Sequence, residues 1–144
     1  MWAVLVVLAI VAVVPNGRAP ERYERPRVGL SVVVPGGWTV VREPLSPCTN
    51  PVQRMALRGN GAVVQIVERL SDDLRGFPHR PRRFELAGAP EWLACCPPAE
   101  GKGWFLTFGD GGRGFHAYVY LGRRGTRADV LRILDSLSVR PRPA

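Results

Sequence analysis

An Asn-Gly pair between two apolar segments is the feature that most constrains how this chain folds. Residues 52–58 and 62–69 flank Gly59-Asn60-Gly61. Asn and Gly both accept a positive φ, which the tight turns of two-residue β-hairpins require. The sequence therefore predicts an antiparallel hairpin in the middle of the chain, and the rest of the fold must be compatible with that pair of strands.

Other short segments with the alternating pattern of strands lie on both sides of this hairpin. Each is bounded by Gly or Pro, which favour turns over regular structure. Residues 71–83 are polar and contain two prolines, so they are expected to be an irregular surface connection. The predicted strands cover residues 28–34, 52–58, 62–69, 84–86, 91–96, 103–108 and 114–121, and residues 38–41 are expected to form a strand or a short helix. We expect an antiparallel meander of about six to seven strands.

The alternation in residues 114–121 places apolar and polar side chains on opposite faces of the sheet. Phe115, Ala117, Val119 and Leu121 share one face, whereas His116, Tyr118 and Tyr120 share the other. A sheet with one covered face and one partly open face fits this pattern.

The C-terminal part of the chain carries the signal of a helix. Thr126 and Asp129 match the Ser/Thr-x-x-acid pattern of a helix start, and apolar residues follow at helical spacing from Val130 to Leu137. With 144 residues there is room for one core. The predicted fold is therefore a single α+β domain over residues 28–140, in which an antiparallel sheet packs against this helix.

The first fourteen residues contain no charged side chain. If these fourteen residues form a helix, its length is about 21 Å, which is shorter than the roughly 30 Å hydrocarbon core of a bilayer. The length is typical of the apolar region of a signal peptide. We predict that residues 1–18 are a signal peptide or an N-terminal membrane anchor and that residues 19–27 are a linker. The domain is then extracytoplasmic, either secreted or attached to the membrane through this segment.

A different orientation follows from the charges around the apolar segment. No basic residue precedes it, and Arg18, Arg22, Arg25 and Arg27 follow it. The positive-inside rule would keep such a domain on the cytoplasmic side. An anchored cytoplasmic domain is therefore the alternative topology.

The formal net charge of +8 raises the question of nucleic-acid binding. Nearly all of the basic residues are arginines, and they occur in every segment, often beside acidic residues. A nucleic-acid interface concentrates its charge on one face. We therefore expect an unknown protein or a small ligand as the partner, and not nucleic acid.

Cys48, Cys95 and Cys96 are the three cysteines. In an oxidising compartment they predict one disulfide, from Cys48 to either Cys95 or Cys96, with one thiol left over. Neighbouring residues of a strand face opposite sides, so only one of the adjacent pair can face Cys48. A thiol-dependent or metal site is the alternative, although the C-x-x-C spacing of such sites is missing.

The sequence predicts no catalytic, cofactor or metal site. Residues 109–114 match G-x-G-x-x-G, but they lie between two predicted strands, where a glycine-rich hairpin turn is expected in place of a dinucleotide site. His79 and His116 have no serine in a nucleophile-elbow context to act with. The alternative enzyme would be a small thiol-dependent or hydrolytic one that uses Cys95 or Cys96 with His116.

Two stretches resemble a known type of bacterial protein. Val32-Val33-Val34-Pro35-Gly36-Gly37-Trp38 near the start and Leu131-Arg132-Ile133-Leu134-Asp135-Ser136-Leu137 near the end are similar to small secreted or membrane-anchored proteins of the PsbP-like type, including LpqN-like lipoproteins. The resemblance implies a sheet covered by helices, and a non-enzymatic binding or accessory role. It transfers no site residue, and this chain lacks the cysteine that carries the lipid in the lipoproteins.

Overall fold

The computed structural model describes residues 18–46, 49–93, 101–122 and 127–142. Within them the chain forms an α+β fold of two antiparallel sheets and a helix, α1, at Arg127–Ser136. The strands are Glu21–Arg25 (β1), Leu30–Val34 (β2), Trp38–Val40 (β3), Val52–Gly59 (β4), Ala62–Arg69 (β5), Glu91–Trp92 (β6), Lys102–Asp110 (β7), Arg113–Tyr120 (β8) and Ser138–Val139 (β9). The small sheet has the order β1-β2-β9, and the large sheet has the order β3-β4-β5-β8-β7-β6.

The α+β class and the C-terminal helix are confirmed, but the strand count and the strand order differ from the prediction. The described residues hold nine strands, not six or seven. A simple meander would place β6 beside β5, whereas β5 pairs with β8. The sheet therefore consists of two three-strand units, β3-β4-β5 and β6-β7-β8, which are joined antiparallel along β5 and β8.

Two of the additional strands come from segments in which no strand was predicted. The predicted linker, residues 19–27, contributes β1, which pairs with β2 from Glu21 opposite Val34 to Arg25 opposite Leu30. Its charged residues are compatible with an edge strand, because an edge faces solvent. The short β9 follows the helix and pairs with the other side of β2. The segment 84–86 is not a strand, although Phe84 and Leu86 are buried.

The predicted central hairpin is confirmed. Gly59 pairs with Ala62, and the two turn residues, Asn60 and Gly61, have φ values of 50° and 76°. The glycine-rich segment 109–114 is likewise a hairpin turn, in which Asp110 pairs with Arg113. Both turns have the positive φ values that a two-residue connection requires.

The core lies between the inner face of the large sheet and a layer formed by the helix and β2. The helix contributes Val130, Ile133 and Leu134, and β2 contributes Leu30 and Val32. The predicted inner face of β8 is confirmed for Phe115, Ala117 and Val119, which are fully buried in this core, whereas Leu121 lies just beyond the strand and is partly buried against it. The sheet side of the core is formed by Trp38, Met55, Leu57, Val64, Ile66, Trp104, Phe108, Phe115, Ala117 and Val119.

The long connection between β5 and β6 is tied to the end of the helix through Arg80. Its guanidinium donates hydrogen bonds to the carbonyl oxygens of Leu134, at 3.2 Å, and of Asp135, at 3.1 Å, and also to that of Leu137. The last carbonyls of a helix have no partner within the helix and carry partial negative charge, so a cation stabilises them. The irregular connection is thus fixed in place without secondary structure.

The predicted signal peptide or anchor lies almost wholly outside the described residues, since only Arg18 of it is described. Among the described residues, no helix has both the length and the apolar character needed to cross a membrane.

Candidate functional site

A buried ion pair closes one end of the core. Glu68 lies near the end of β5 and Arg113 at the start of β8, and both side chains project from the inner face of the large sheet. Arg113 donates two hydrogen bonds to the Glu68 carboxylate, from Nε to Oε1 at 2.8 Å and from Nη2 to Oε2 at 2.9 Å. Because the planar guanidinium matches the carboxylate, both charges are satisfied away from water.

A β-bulge in β4 brings a second arginine to the same carboxylate. The pairing of β4 with β5 shifts between Gln53 and Met55, so that Arg54 is the additional residue. A bulge of this kind redirects the side chain of the extra residue. Here Arg54 Nε donates to Glu68 Oε2 at 2.7 Å. Glu68 is therefore held by two guanidinium groups.

The pKa of Glu68 reflects a balance between burial and these arginines. Burial alone raises the pKa of the carboxyl, but the hydrogen bonds and positive charges of Arg113 and Arg54 outweigh it. The pKa lies below its ordinary value of 4.5. Glu68 is thus an anion at neutral pH and orders the arginines around it.

An open pocket of about 600 Å³ lies directly over this ion pair. Arg54, Glu68 and Arg113 form its floor, and Arg27, Arg140 and Arg142 complete its charged lining. Five arginines and a single carboxylate therefore line the pocket. The remaining lining is apolar and consists of Val28, Leu70 and Pro141.

Two distant segments of the chain meet to form the charged wall of the pocket. The turn between β1 and β2 supplies Arg27, and the segment after β9 supplies Arg140 and Arg142. The Arg140 amide donates to the Gly29 carbonyl at 2.8 Å, and the Arg142 amide donates to the Gly111 carbonyl at 3.1 Å. These backbone bonds hold the C-terminal segment across the turn and fix both arginines at the pocket.

Close approach of these segments depends on Gly29. Its φ is 71°, and a Cβ atom at this position would lie 3.1 Å from Arg140 Nε and 3.4 Å from Arg113 Nη1. A larger residue would strain the turn and displace the guanidinium groups. The glycine therefore permits the packing of two like charges at the pocket.

The pocket keeps positive charge that its own carboxylate does not neutralise. Arg27 has no hydrogen-bond or ion-pair partner among the described residues, and Arg142 Nη2 lies 4.0 Å from Glu68 Oε1. Among the described residues, the wall arginines form one further ion pair, between Arg142 Nη1 and Oδ1 of the fully exposed Asp72 at 2.9 Å. Guanidinium groups arranged in this way bind carboxylates and phosphates.

The opposite face of the large sheet carries the polar side chains predicted for β8. His116 is buried, its Nδ1 lies 2.9 Å from Thr107 Oγ1, and its ring contacts Phe77 and Phe105 with centroid separations of 5.1 and 4.8 Å. Burial lowers the pKa of His116, and the charge of Arg69 lowers it further. The imidazole therefore packs against both rings in its neutral form.

Two buried polar atoms on this same face lack a partner among the described residues. They are the Tyr120 hydroxyl and the Gln65 Oε1 atom. Burial, together with Tyr118, raises the pKa of Tyr120 to about 12. The phenol is therefore neutral at physiological pH.

The cysteines Cys48, Cys95 and Cys96 lie outside the described residues, so their pairing stays a prediction. Leu45 and Leu93, which lie close to them in sequence, both pack against the cluster of Val63, Val67, Tyr118 and Tyr120. His79 is exposed and forms a β-bridge with Gly109. In the described part of the chain, no group of three or more His, Cys, Asp or Glu side chains could hold a metal ion.

The sequence did not indicate the pocket over the Glu68–Arg113 ion pair, which we call the arginine pocket. Its arginines come from positions 27, 54, 113, 140 and 142, which share no motif or spacing. The sequence suggested that arginines are spread evenly, whereas the fold concentrates these five at one end of the core. Glu68, a glutamate in an otherwise apolar strand, is the one sequence feature that could have indicated a buried cation.

Substitution of Glu68 tests the electrostatic role of the ion pair. Glu68→Gln should lower the free energy of unfolding by about 3–5 kcal/mol, because Arg113 would remain buried without its counter-charge. Since the folded-state pKa of Glu68 is lowered, its stabilisation is present above about pH 4.5 and is lost as the pH falls through the folded-state pKa. Urea unfolding at pH 7 and pH 3 measures both effects.

Asp73→Asn is the matched control, because the Asp73–Arg75 pair is fully exposed. It should leave the unfolding midpoint unchanged. An equal difference between the wild type and Glu68→Gln at both pH values would contradict the assignment of a lowered pKa to Glu68.

Comparison with known proteins identifies no relative from which a function could be inferred. No protein-family model matches the chain, and no curated protein or solved structure matches it.

Proposed function

We propose that this protein is an extracytoplasmic binding module and that the arginine pocket binds a small anionic ligand. The observation that carries the proposal is that five arginines and one carboxylate line a pocket of about 600 Å³. Pockets that bind small molecules commonly have volumes of 300–1,000 Å³. The size and the charge of the pocket together support an anionic ligand.

The arrangement of the charges supports binding and not merely structural pairing. Glu68 already accepts hydrogen bonds from Arg113 and Arg54. In the wall, Arg142 pairs only with the exposed Asp72 and Arg140 donates to the Pro26 carbonyl oxygen, whereas Arg27 has no partner among the described residues and is open to another anion. The bidentate pair fixes the floor of the pocket in advance of binding. A preformed floor lowers the ordering cost of association.

The lining also favours a binding role over a catalytic one. Its described residues are arginines, Glu68 and three apolar residues, with no serine, threonine, cysteine or histidine to act as a nucleophile or a base. Glu68 is ionised and fully hydrogen-bonded, so it is poorly suited to exchange a proton with a ligand.

The extracytoplasmic location is part of the proposal. It is supported by the uncharged residues 1–14 and by the three cysteines, which fit a protein of an oxidising compartment. A PsbP-like arrangement, in which helices cover an antiparallel sheet, is compatible with the two-layer core and with an accessory role. Cys48 is proposed to pair with Cys95 or Cys96, because Leu45 and Leu93 pack on the same cluster.

Binding of inorganic phosphate provides a direct test of the pocket. Isothermal titration calorimetry should detect saturable binding that weakens as the salt concentration rises, because exposed charges are screened. The double variant Arg27→Gln/Arg142→Gln should lower the affinity at least tenfold, since each charged hydrogen bond contributes about 1.5–3 kcal/mol. The control Arg132→Gln removes an exposed arginine of α1 and should bind like the wild type.

Equal loss of affinity in Arg132→Gln and in the double variant would show diffuse attraction to the whole basic surface. Absence of saturable binding to any small anion would reject the pocket as the site. Thermal unfolding of each variant provides the necessary check that the domain is folded.

Reporter fusions test the proposed location. Alkaline phosphatase attached to the C-terminus of the full chain should be active, because that enzyme needs export in order to form its disulfides. The same fusion without residues 1–18 should be inactive. An active fluorescent reporter and an inactive phosphatase in the full-length fusions would instead indicate the cytoplasmic orientation.

A further inference from the structure

We infer that the arginine pocket recognises a phosphate monoester with an apolar body, with the phosphate on the guanidinium groups and the body against a wall formed by Val28, Leu70 and Pro141. This inference rests on the proposed anion-binding function and specifies the ligand class. It follows from the distribution of apolar and charged surface within the same pocket.

Part of the pocket lining is apolar and exposed, which favours a ligand with an apolar body. Leu70 follows β5 directly and is 52% exposed, one of three large apolar side chains with high exposure in the described chain. It lines the same pocket as the half-buried Val28. Isolated exposed leucines are common, but this one lies beside a second apolar side chain and a proline within a charged pocket. A ligand that covered them would remove apolar surface from water.

The arginine pocket has more positive charge than its carboxylates neutralise, and this excess favours a phosphate monoester over a carboxylate. Glu68 neutralises one of the five guanidinium groups, and the exposed Asp72 lies against Arg142 alone. An excess of positive charge therefore remains. A phosphate monoester carries a charge between about −1.5 and −2 at pH 7, and its three oxygens accept hydrogen bonds from several guanidinium groups. A carboxylate supplies one charge and would leave more of the excess unbalanced.

The volume of the pocket favours an organic ester over an inorganic phosphate ion. About 600 Å³ corresponds to a ligand of many atoms, whereas an inorganic phosphate ion fills only a small part of it. The remaining volume is bounded by the apolar wall. The pocket therefore fits an organic ester better than a free inorganic ion.

The direction of β1 favours a soluble ester over a lipid of the membrane. Arg18 lies beside the turn that follows β2, because its carbonyl oxygen contacts the position where Gly36 would carry a Cβ. The pocket lies beyond the other end of β1, at the turn containing Arg27 and Val28. The five residues of β1 alone separate these ends by about 16 Å. The pocket therefore lies at the end of β1 that is remote from Arg18, the last residue of the predicted membrane segment.

A series of alkyl phosphates tests this inference on the full-length protein. Inorganic phosphate, butyl phosphate and octyl phosphate would be titrated below the micelle concentration, together with octanol and octanoate. The affinity should rise by up to about fourfold for each methylene buried, until the wall is covered. Octyl phosphate should bind more tightly than octanoate, and octanol should not bind measurably.

Leu70→Ser separates the apolar contact from the charged contact. Leu70 is half exposed, so its replacement should leave the domain folded, which thermal unfolding checks. The variant should reduce the gain in affinity from butyl to octyl phosphate, and Leu70→Met should restore it. Arg27→Gln/Arg142→Gln should weaken all of the phosphates.

The outcomes distinguish this inference from the proposed function. Equal affinities for inorganic and octyl phosphate would overturn the apolar-body inference and leave the anion site intact, whereas no binding of any phosphate would overturn both. Tighter binding of octanoate than of octyl phosphate would overturn the phosphate assignment. Binding to phosphatidylcholine vesicles with 10% phosphatidic acid, without binding to soluble octyl phosphate, would overturn the soluble source.

Discussion

The carboxylate of Glu68 stabilises the end of the core at which the arginines of the pocket lie. Without it, Arg113 would bring an unpaired charge to the edge of a fully apolar core, and the cost would be several kcal/mol. With it, two guanidinium groups are fixed by hydrogen bonds of 2.7 to 2.9 Å. Arg113 in turn packs over the Phe115 ring, 5.2 Å from its centroid, which joins the ion pair to the apolar core.

The same end of the molecule is where both sheets and the C-terminal segment come together. The small sheet contributes the turn between β1 and β2, and the large sheet contributes the ends of β4, β5 and β8. Arg113 Nη1 also donates to the carbonyl oxygen of Arg140, at 3.3 Å, so the ion pair contacts the last described segment as well. The pocket is therefore a product of the tertiary arrangement and is not carried by any one element.

Local features of the fold were predictable from the sequence because they depend on local chemistry. The Asn60-Gly61 turn and the spacing of Val130, Ile133 and Leu134 each specify an element through its own backbone and side chains. The pairing of β5 with β8 was not predictable in this way, because forty-five residues separate Glu68 from Arg113. Strand β1 was missed because its charged, proline-flanked residues lack an alternating apolar pattern.

The candidate site was not predictable for the same physical reason. Arginines scattered along a sequence become a site only when strands from distant segments bring them together, and no spacing rule describes that. The composition was misleading, because arginines are frequent along the whole chain and the five that line the pocket do not stand out among them. The bulge at Arg54 is a further example, because one additional residue in β4 decides whether that side chain reaches Glu68.

A nuclear magnetic resonance spectrum of the arginine Nε–H groups, recorded as butyl phosphate is added, tests directly whether the pocket binds an anion. Binding in the pocket should give saturable shifts for Arg27, Arg140 and Arg142, with smaller changes at Arg113, whose Nε–H stays on Glu68. Shifts that occur instead at Arg18, Arg22 and Arg132, or that grow equally at all exposed arginines without saturating, would contradict a binding site in the pocket.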